Sequence, residues 1–446
     1  MRAARRRPVT DAPERDGAEA GLRAPGRSLG VWLPRARALF TGGNELALLR
    51  GGDALFPSMC KAIAAATREV WIATYIFDGD PAGRAVAAAL ADAARRGVRV
   101  RVVVDGFGSL GALPLLRSLL EPAGVELAVF RPLHGWWSWL QPGQLRRLHQ
   151  KLCVVDGELA FVGGINLIED RHDLRHGWTE RPRLDYAVRL RGPVVRPVEQ
   201  SARAVWTRAA FGRDWREEMR QIVRSSRPLQ RARRLLRRLR LSQRKPRDGA
   251  PHPLPRVRAA FLVRDNLRRR RSIERSYIDA LRAARQRIDL VCPYFYPGTD
   301  FRHALVAAAR RGVRVRLLLQ GKADYRVAAL AAQVLYDEML ACGVRIFEYL
   351  PAFLHAKVAV VDDRWATVGS SNIDPLSLLV NLEANVVIDD EPFVATLANE
   401  LDRDFADARE VTAPPALAGW RRWLRRGLVA WAALVYLRVA GAAGRY

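Results

Sequence analysis

Two short stretches of this chain carry the same polar groups at the same spacing. RRLHQKLCVVDGELAFVGGIN runs from Arg146 to Asn166, and FLHAKVAVVDDRWATVGSSN runs from Phe353 to Asn372. Each reads His-x-Lys, four further residues, Asp, and then an Asn 17 residues after its His. The first copy supplies His149, Lys151, Asp156 and Asn166; the second supplies His355, Lys357, Asp362 and Asn372. An imidazole, an ammonium and a carboxamide on one face make a nucleophile or proton donor beside two donors suited to phosphoryl oxygens. The chain has only five lysines, against an Arg-dominated total of 74 Lys and Arg, and two of the five sit inside the repeated phrase. That placement favours a compact ammonium over a planar guanidinium at those positions. One His-x-Lys-x4-Asp is expected by chance on the order of once in several hundred such chains. Two copies with matching Gly and Asn offsets are therefore not coincidence.

The elements that position these groups can be read from the same letters. LHQKLCVV reads as a strand, Asp156-Gly157 as a hairpin turn, and ELAFVGG as the returning strand; Asp362-Asp363 makes the turn in the second copy. Alternation along a strand places His149 with Lys151, and His355 with Lys357, on one face. By the same parity Asp156 and Asp362 fall at the turn, off that face, and read as hairpin supports. A second repeat agrees: AARRGVRVRVVVDG (Ala93 to Gly106) matches AARRGVRVRLLLQG (Ala308 to Gly321), a helix end, a Gly stop and an apolar strand. Helix-to-strand passages precede each, Ala62 to Phe77 and Ala280 to Tyr296. Alternating helices and strands in two copies give an α/β class, a duplicated sandwich around a largely buried sheet.

Composition bounds the rest. The 446 residues exceed one simple domain, and 49% apolar content supports sizeable cores. A formal net charge of +28 points to a polyanionic partner, nucleic acid or an anionic membrane. Cys60, Cys153, Cys292 and Cys342 are scattered with no C-x-x-C pair, so reduced thiols are expected rather than a disulfide framework or a zinc cage. The organisation reads as a disordered basic tail (1–40) with no secretory h-region, a first lobe (41–212), a basic linker (213–258), a second lobe (259–411), and a Trp/Arg-rich apolar tail (412–446). The linker core LQRARRLLRRLRL reads as a solvated connector helix or a surface-binding basic one. In the last segment Trp420 and Trp423 stand among Arg421, Arg422, Arg425 and Arg426, before an apolar run, Gly427 to Leu437, too short to span a bilayer; it reads as a membrane-interface segment or a docked helix. Trp136, Trp137 and Trp139, just ahead of His149, read as a packed loop or an apolar lip for lipid chains. His134, His172, His176, His252 and His303 have no paired copy and read as surface or loop residues.

The duplicated His-Lys-Asp phrase resembles the phospholipase D superfamily. DYAVRLRGPVV, YFYPGTDFRHALVAAARRGVRVRLLLQG, WATVGSSNIDPLSLLVNLEANVVI and the Trp/Arg-rich tail resemble bacterial cardiolipin synthases of the B type, over roughly Leu46 to Tyr446. The resemblance implies two lobes related by a pseudo-twofold axis and one shared active site. It implies phosphatidyl transfer from one phosphatidylglycerol to another, giving cardiolipin and glycerol through a phosphohistidine. His149 would be the nucleophile and His355 the acid. Lys151, Lys357, Asn166 and Asn372 would hold the phosphate oxygens, and Ser370 would support the site. Asp156 and Asp362 complete the family's catalytic motif. Asp185 and Glu383, on following strands, would each accept an imidazole nitrogen. No cofactor or metal is implied, because the lysines supply the positive charge. Partners would be phosphatidylglycerol and an anionic membrane surface, at the cytoplasmic face of a bacterial inner membrane, with no nucleic acid and no obligate protein partner. Other acceptor alcohols or water, a nucleic-acid phosphodiesterase, and a non-catalytic membrane scaffold are the competing readings.

Overall fold

In each half the repeated sequence builds a matching run of sheet strands with helices between them, and glycines mark its joints. Gly97 and Gly312, the stops before the repeated VRVR strands, adopt φ values of 88° and 89°, the left-handed region that ends a helix cheaply only at Gly. The first half contains β1 (Thr41–Arg50), α1 (Gly51–Ala64), β2 (Glu69–Thr74), α2 (Pro81–Arg95), β3 (Arg99–Asp105), α3 (Leu113–Leu120), β4 (Glu126–Phe130), β5 (Leu152–Val155), β6 (Leu159–Gly163), the two-residue strands β7 (His172–Asp173) and β8 (Gly177–Trp178), β9 (Tyr186–Arg191) and α4 (Val195–Gly212). The second contains β10 (Val257–Arg264), α5 (Ser272–Ala283), β11 (Arg287–Val291), α6 (Thr299–Arg310), β12 (Arg314–Gln320), β13 (Arg345–Tyr349), β14 (Val358–Val361), β15 (Trp365–Gly369), β16 (Glu383–Asp389), α7 (Glu391–Ala406) and β17 (Arg409–Glu410). Where the sequence signals are strongest the caps are visible. Asp80 accepts from the Gly83 amide ahead of Pro81, and Asp390 accepts from the Phe393 amide ahead of Pro392, which start α2 and α7.

This computed structural model describes residues 38–133, 146–174, 176–212, 257–265, 271–322, 335–374, 377–378 and 381–412. The expectations for the N-terminal tail, the Trp136 to Trp139 lip, the linker helix, the C-terminal tail, His134 and His252 lie outside the described residues. β10 begins at Val257, inside the stretch read as linker, and β1 and β10 themselves precede the repeat as read from the sequence.

The duplication is plain in the sheet. Outward from the central β1–β10 pair the order is β9-β6-β5-β2-β3-β4 on one side and β16-β15-β14-β11-β12-β13 on the other, with β17 added at the second edge. β2, β3 and β4 run parallel, as do β11, β12 and β13, whereas the pairs nearer the centre are antiparallel. Asn44 pins the junction: its side-chain amide donates to the Val257 carbonyl (3.0 Å), and its oxygen accepts from the Val194 amide (2.9 Å).

Each strand feeds two cores by alternation. In β9, Tyr186, Val188 and Leu190 enter a central core shared by both halves, while Ala187 faces the outer core under α1, α2 and α3. The second half has its own outer core under α5 and α6. The central core takes strands from both halves of the sheet together with α4 and α7, so the described parts of the two lobes share their largest apolar cluster. α7 reaches across: Arg50 donates to Glu400 (2.6 Å) and Asp404 (2.7 Å), and the Tyr186 hydroxyl donates to Asp404 (2.6 Å). Among the described residues no helix is long and apolar enough to cross a membrane.

Candidate active site

The histidines do not lie within the strands the sequence suggested. β5 begins at Leu152 and β14 at Val358, and each His-x-Lys sits on the extended backbone just ahead. The cause is a set of hydrogen bonds to the opposite lobe. Leu148 forms a parallel bridge with Leu382, with His149 N–H donating to the Leu382 carbonyl (3.0 Å) and Leu382 N–H to the Arg147 carbonyl (2.9 Å). Leu354 bridges Leu184 in the same way, with His355 N–H donating to the Leu184 carbonyl (2.9 Å). The residues that follow each bridge are therefore neighbours: His149 beside Glu383, and His355 beside Asp185.

Each imidazole is thus held by a carboxylate from the other half of the chain. His149 Nδ1 lies 2.9 Å from Glu383 Oε2, and His355 Nδ1 lies 2.6 Å from Asp185 Oδ2. Both carboxylates are buried rather than edge-strand surface charges. With Nδ1 on a carboxylate, Nε2 is left to do chemistry. The two rings meet edge to face with centroids 6.5 Å apart, close enough to flank one phosphorus. Lys151 and Lys357 are buried, and each ammonium donates to the carbonyl of its own histidine. The Lys151 ammonium also lies 5.6 Å from the centre of the Tyr75 ring, which packs edge-on against His149. Asn166 and Asn372 are buried in the loops that follow β6 and β15. The Asn166 oxygen accepts from the Ile76 amide (3.3 Å), which leaves its NH2 end to donate, and the Asn372 oxygen is buried without a hydrogen-bond partner.

The two half-sites differ in ways the duplication makes easy to see. At the residue after the repeated VG, the first copy has Gly164 and the second Ser370. A Cβ at Gly164 would lie 2.3 Å from Asp185 Oδ1, so any side chain there would displace the carboxylate that holds His355. Ser370 instead donates its hydroxyl to Glu383 Oε2 (2.5 Å). Burial alone would raise the Glu383 carboxyl, but His149, Lys151 and Ser370 outweigh it and hold the group below the usual carboxylate range. Asp185 lacks such a hydroxyl, and burial pushes it up to about 7. Burial lowers both lysines, Lys151 to about 7 and Lys357 to about 8. Burial, then Lys357 and Lys151, drive His355 well below its ordinary value; burial also lowers His149, against the pull of Glu383.

Asp156 and Asp362 lie at the hairpin turns, away from the imidazoles' hydrogen bonds. The Asp156 carboxylate accepts from the amides of Thr67 (2.9 Å), Arg68 (2.8 Å) and Glu69 (2.9 Å), and Asp362 accepts from those of Arg285, Gln286 and Arg287. Each therefore ties its hairpin to the turn that enters β2 or β11. His172 is not a free surface residue: it lies between Asp78 (3.2 Å) and Asp80 (3.3 Å) and stacks on Trp178. His176 and His303 are exposed. Cys153 and Cys292 are buried, Cys60 and Cys342 half-buried, and all four are free thiols.

Two positioning groups escaped the reading of the sequence. Asp105 Oδ2 accepts from the Leu148 amide (2.8 Å), and Gln320 Oε1 accepts from the Leu354 amide (2.9 Å), each one residue before a site histidine. They occupy the same place in the second repeat, the polar letter closing VRVRVVVD and VRVRLLLQ. A polar residue ending an otherwise apolar strand in both copies was the available signal.

A family model described as cardiolipin synthase, phospholipase D (PLD)-like domain, matches residues 59–177 and 277–405. Cardiolipin synthase B of Escherichia coli (strain K12) is 37% identical over 360 residues, covering 81% of this chain and 80% of that protein. Cardiolipin synthase A of Pseudomonas putida (strain GB-1) is 32% identical over 374 residues, covering 83% and 70%. Among solved structures, phosphatidylserine synthase of Haemophilus influenzae Rd KW20 superposes with a TM-score of 0.58 over 89% of this chain and 94% of that one, at 12% identity. At that identity the likeness speaks to the fold alone.

Proposed function

The chain belongs to the cardiolipin synthase family of phospholipase D-like proteins, and from that premise we propose that it transfers a phosphatidyl group from one phosphatidylglycerol to the hydroxyl of another, yielding cardiolipin and glycerol. The observation that carries this reading is the pair of imidazoles with ring centres 6.5 Å apart, each backed by a buried carboxylate from the opposite lobe.

The chemistry divides as follows. His149 Nε2 attacks phosphorus and forms a P–N bond while the P–O bond to glycerol breaks. His355 Nε2–H gives its proton to the departing oxygen. The acceptor hydroxyl then loses its proton to neutral His355 and attacks phosphorus, the P–N bond breaks, and both imidazoles return to their starting forms. Lys151, Lys357, Asn166 and Asn372 surround the nonbridging oxygens. The unequal carboxylates support this order. A phosphorylated imidazole is cationic for the life of the intermediate and needs a fixed counter-charge, which Glu383 provides beside His149. The acid alternates between two protonation states, a task suited to the Asp185 pair, whose carboxyl lies near neutrality at about 7. An anionic phosphodiester between the lysines also offsets the two ammonium charges that depress His355, so substrate binding promotes the proton uptake the acid needs. Asp156 and Asp362 act as hairpin supports rather than in the transfer itself.

Single-turnover trapping tests this. Labelled phosphatidylglycerol should leave an acid-labile label on denatured wild-type protein. His149→Ala should lose both label and product, and His355→Ala should lower turnover by at least about two orders of magnitude. Near-normal transfer in both variants would end the shared-site reading, and label retained in His149→Ala but lost in His355→Ala would reverse the order.

A further inference from the structure

Large apolar side chains left exposed are few among the described residues: Leu39, Phe107, Leu110, Leu174, Trp178 and Leu350. Singly, such residues are ordinary. Their distribution is not. Gly51, at the end of β1, donates its amide to the carbonyl of Asp185, so that end of β1 is the catalytic end. Leu39 precedes the other end of the ten-residue strand, roughly 30 Å away at strand rise. The remaining five belong to loops tied to the catalytic segments. Phe107 N–H shares Asp105 with Leu148 N–H, and the Arg147 guanidinium lies 5.5 Å from the Phe107 ring centre. Leu110 follows in the same turn. Trp178 stacks on His172 in the β7–β8 hairpin, which carries Leu174 at its tip. The same hairpin places His176 against Phe353, two residues before His355. Leu350 adjoins Pro351, whose carbonyl accepts from Lys322, and that ammonium lies 6.0 Å from the Phe353 ring centre.

We propose that this end of the molecule lies on the surface of an anionic phospholipid bilayer, with Leu110, Leu174 and Trp178 entering the headgroup layer around the mouth of the site. The inference rests on the reading above that the substrate is a membrane phospholipid. The side chains of His149 and His355 are only 12% and 23% exposed, so a headgroup phosphate held in a bilayer reaches them only if the mouth abuts that bilayer. The partner's chemistry also fits. Aromatic rings paired with cations, Phe107 with Arg147 and Phe353 with Lys322, suit an interface where apolar bodies sink and charges stay with phosphates. Trp178 and Leu174, 62% and 53% exposed, would leave water for an apolar environment there. The chain's net charge of +28 favours the anionic surface throughout.

Cosedimentation of the full chain with vesicles of phosphatidylglycerol and phosphatidylcholine tests the surface. The pair Leu110→Asp with Trp178→Asp should weaken partitioning at least tenfold, while Leu39→Asp binds like wild type. A thermal melt checks folding, and a pair that fails to fold is replaced by the corresponding Ser variants. As a second measurement, an environment-sensitive dye on Leu174→Cys should shift to the blue on vesicles, against the wild-type background of native thiols, and a dye on Leu39→Cys should not. Equal binding by rim and foot variants, or no shift at position 174, overturns the proposal. Transfer measured on monomeric short-chain phosphatidylglycerol keeps the two readings apart. If wild-type protein binds vesicles through the rim yet never transfers soluble lipid, the activity fails and the surface stands.

Discussion

Asp105 and Gln320 do one task with different chemistry, and the difference is testable. Asp105 uses both oxygens as acceptors: Oδ1 takes the Phe107 amide (2.9 Å) and Oδ2 takes the Leu148 amide (2.8 Å). A carboxamide has one acceptor end, which suffices for Gln320 but not at position 105. Asp105→Asn therefore turns an NH2 group toward a buried amide, at a cost of about 1–3 kcal/mol. If that cost falls on the placement of His149, kcat should drop about tenfold or more, with KM for lipid changing far less. Steady-state kinetics check this, and wild-type turnover in Asp105→Asn would show that the carboxylate does not position the histidine. At this scale the sequence was most informative where a residue was repeated. His149, Lys151 and Asn166 announced themselves because His355, Lys357 and Asn372 stand at the same offsets. Asp105 did not, because its counterpart is an amide and nothing in one letter says that it bonds the residue before a histidine.

The hairpins show what a local pattern can and cannot specify. Asp156 and Gly157 adopt φ values of 53° and 70°, and Glu158 N–H closes the turn on the Val155 carbonyl (3.0 Å), the two-residue turn that the Asp-Gly pair implies. Asp362 takes φ 50° in its copy. The strands, however, stop short of the histidines, because backbone bridges to Leu382 and Leu184 hold those segments, and a bridge between lobes leaves no trace in local periodicity. Asp156 itself is held below the usual range: burial pushes it up, but the amides of Glu69, Thr67 and Arg68 outweigh this. Asp156→Asn gives up the contacts of one oxygen, and we expect about 1–2 kcal/mol of lost stability, seen as a melting point lower by a few degrees, with turnover at low temperature reduced far less. An Asp156→Asn protein that melts like wild type and is inactive would place this residue in the chemistry after all.

Over the whole molecule, duplication was legible and interdigitation was not. The repeats define two halves of identical strand order, yet neither half holds a complete charge relay, since Glu383 serves His149 and Asp185 serves His355. The pairing follows from the central β1–β10 junction and the shared core, contacts between residues some two hundred positions apart that only the folded chain reveals. A protease site inserted among residues 213–256 tests the consequence. The nicked protein should stay associated and active, because the lobes are joined by strands and core rather than by the connecting segment. Fragments separated in denaturant should each be inactive, and mixing should restore transfer. Activity in either purified fragment would refute the crossed arrangement. The crossing also governs when the enzyme can first act. During synthesis His149 and Lys151 leave the ribosome long before Glu383 does, so the nascent first lobe carries a histidine without its carboxylate. The His149 half-site thus remains unarmed until the second lobe has been made as far as Glu383, and a product truncated before that residue lacks the carboxylate that holds the His149 imidazole.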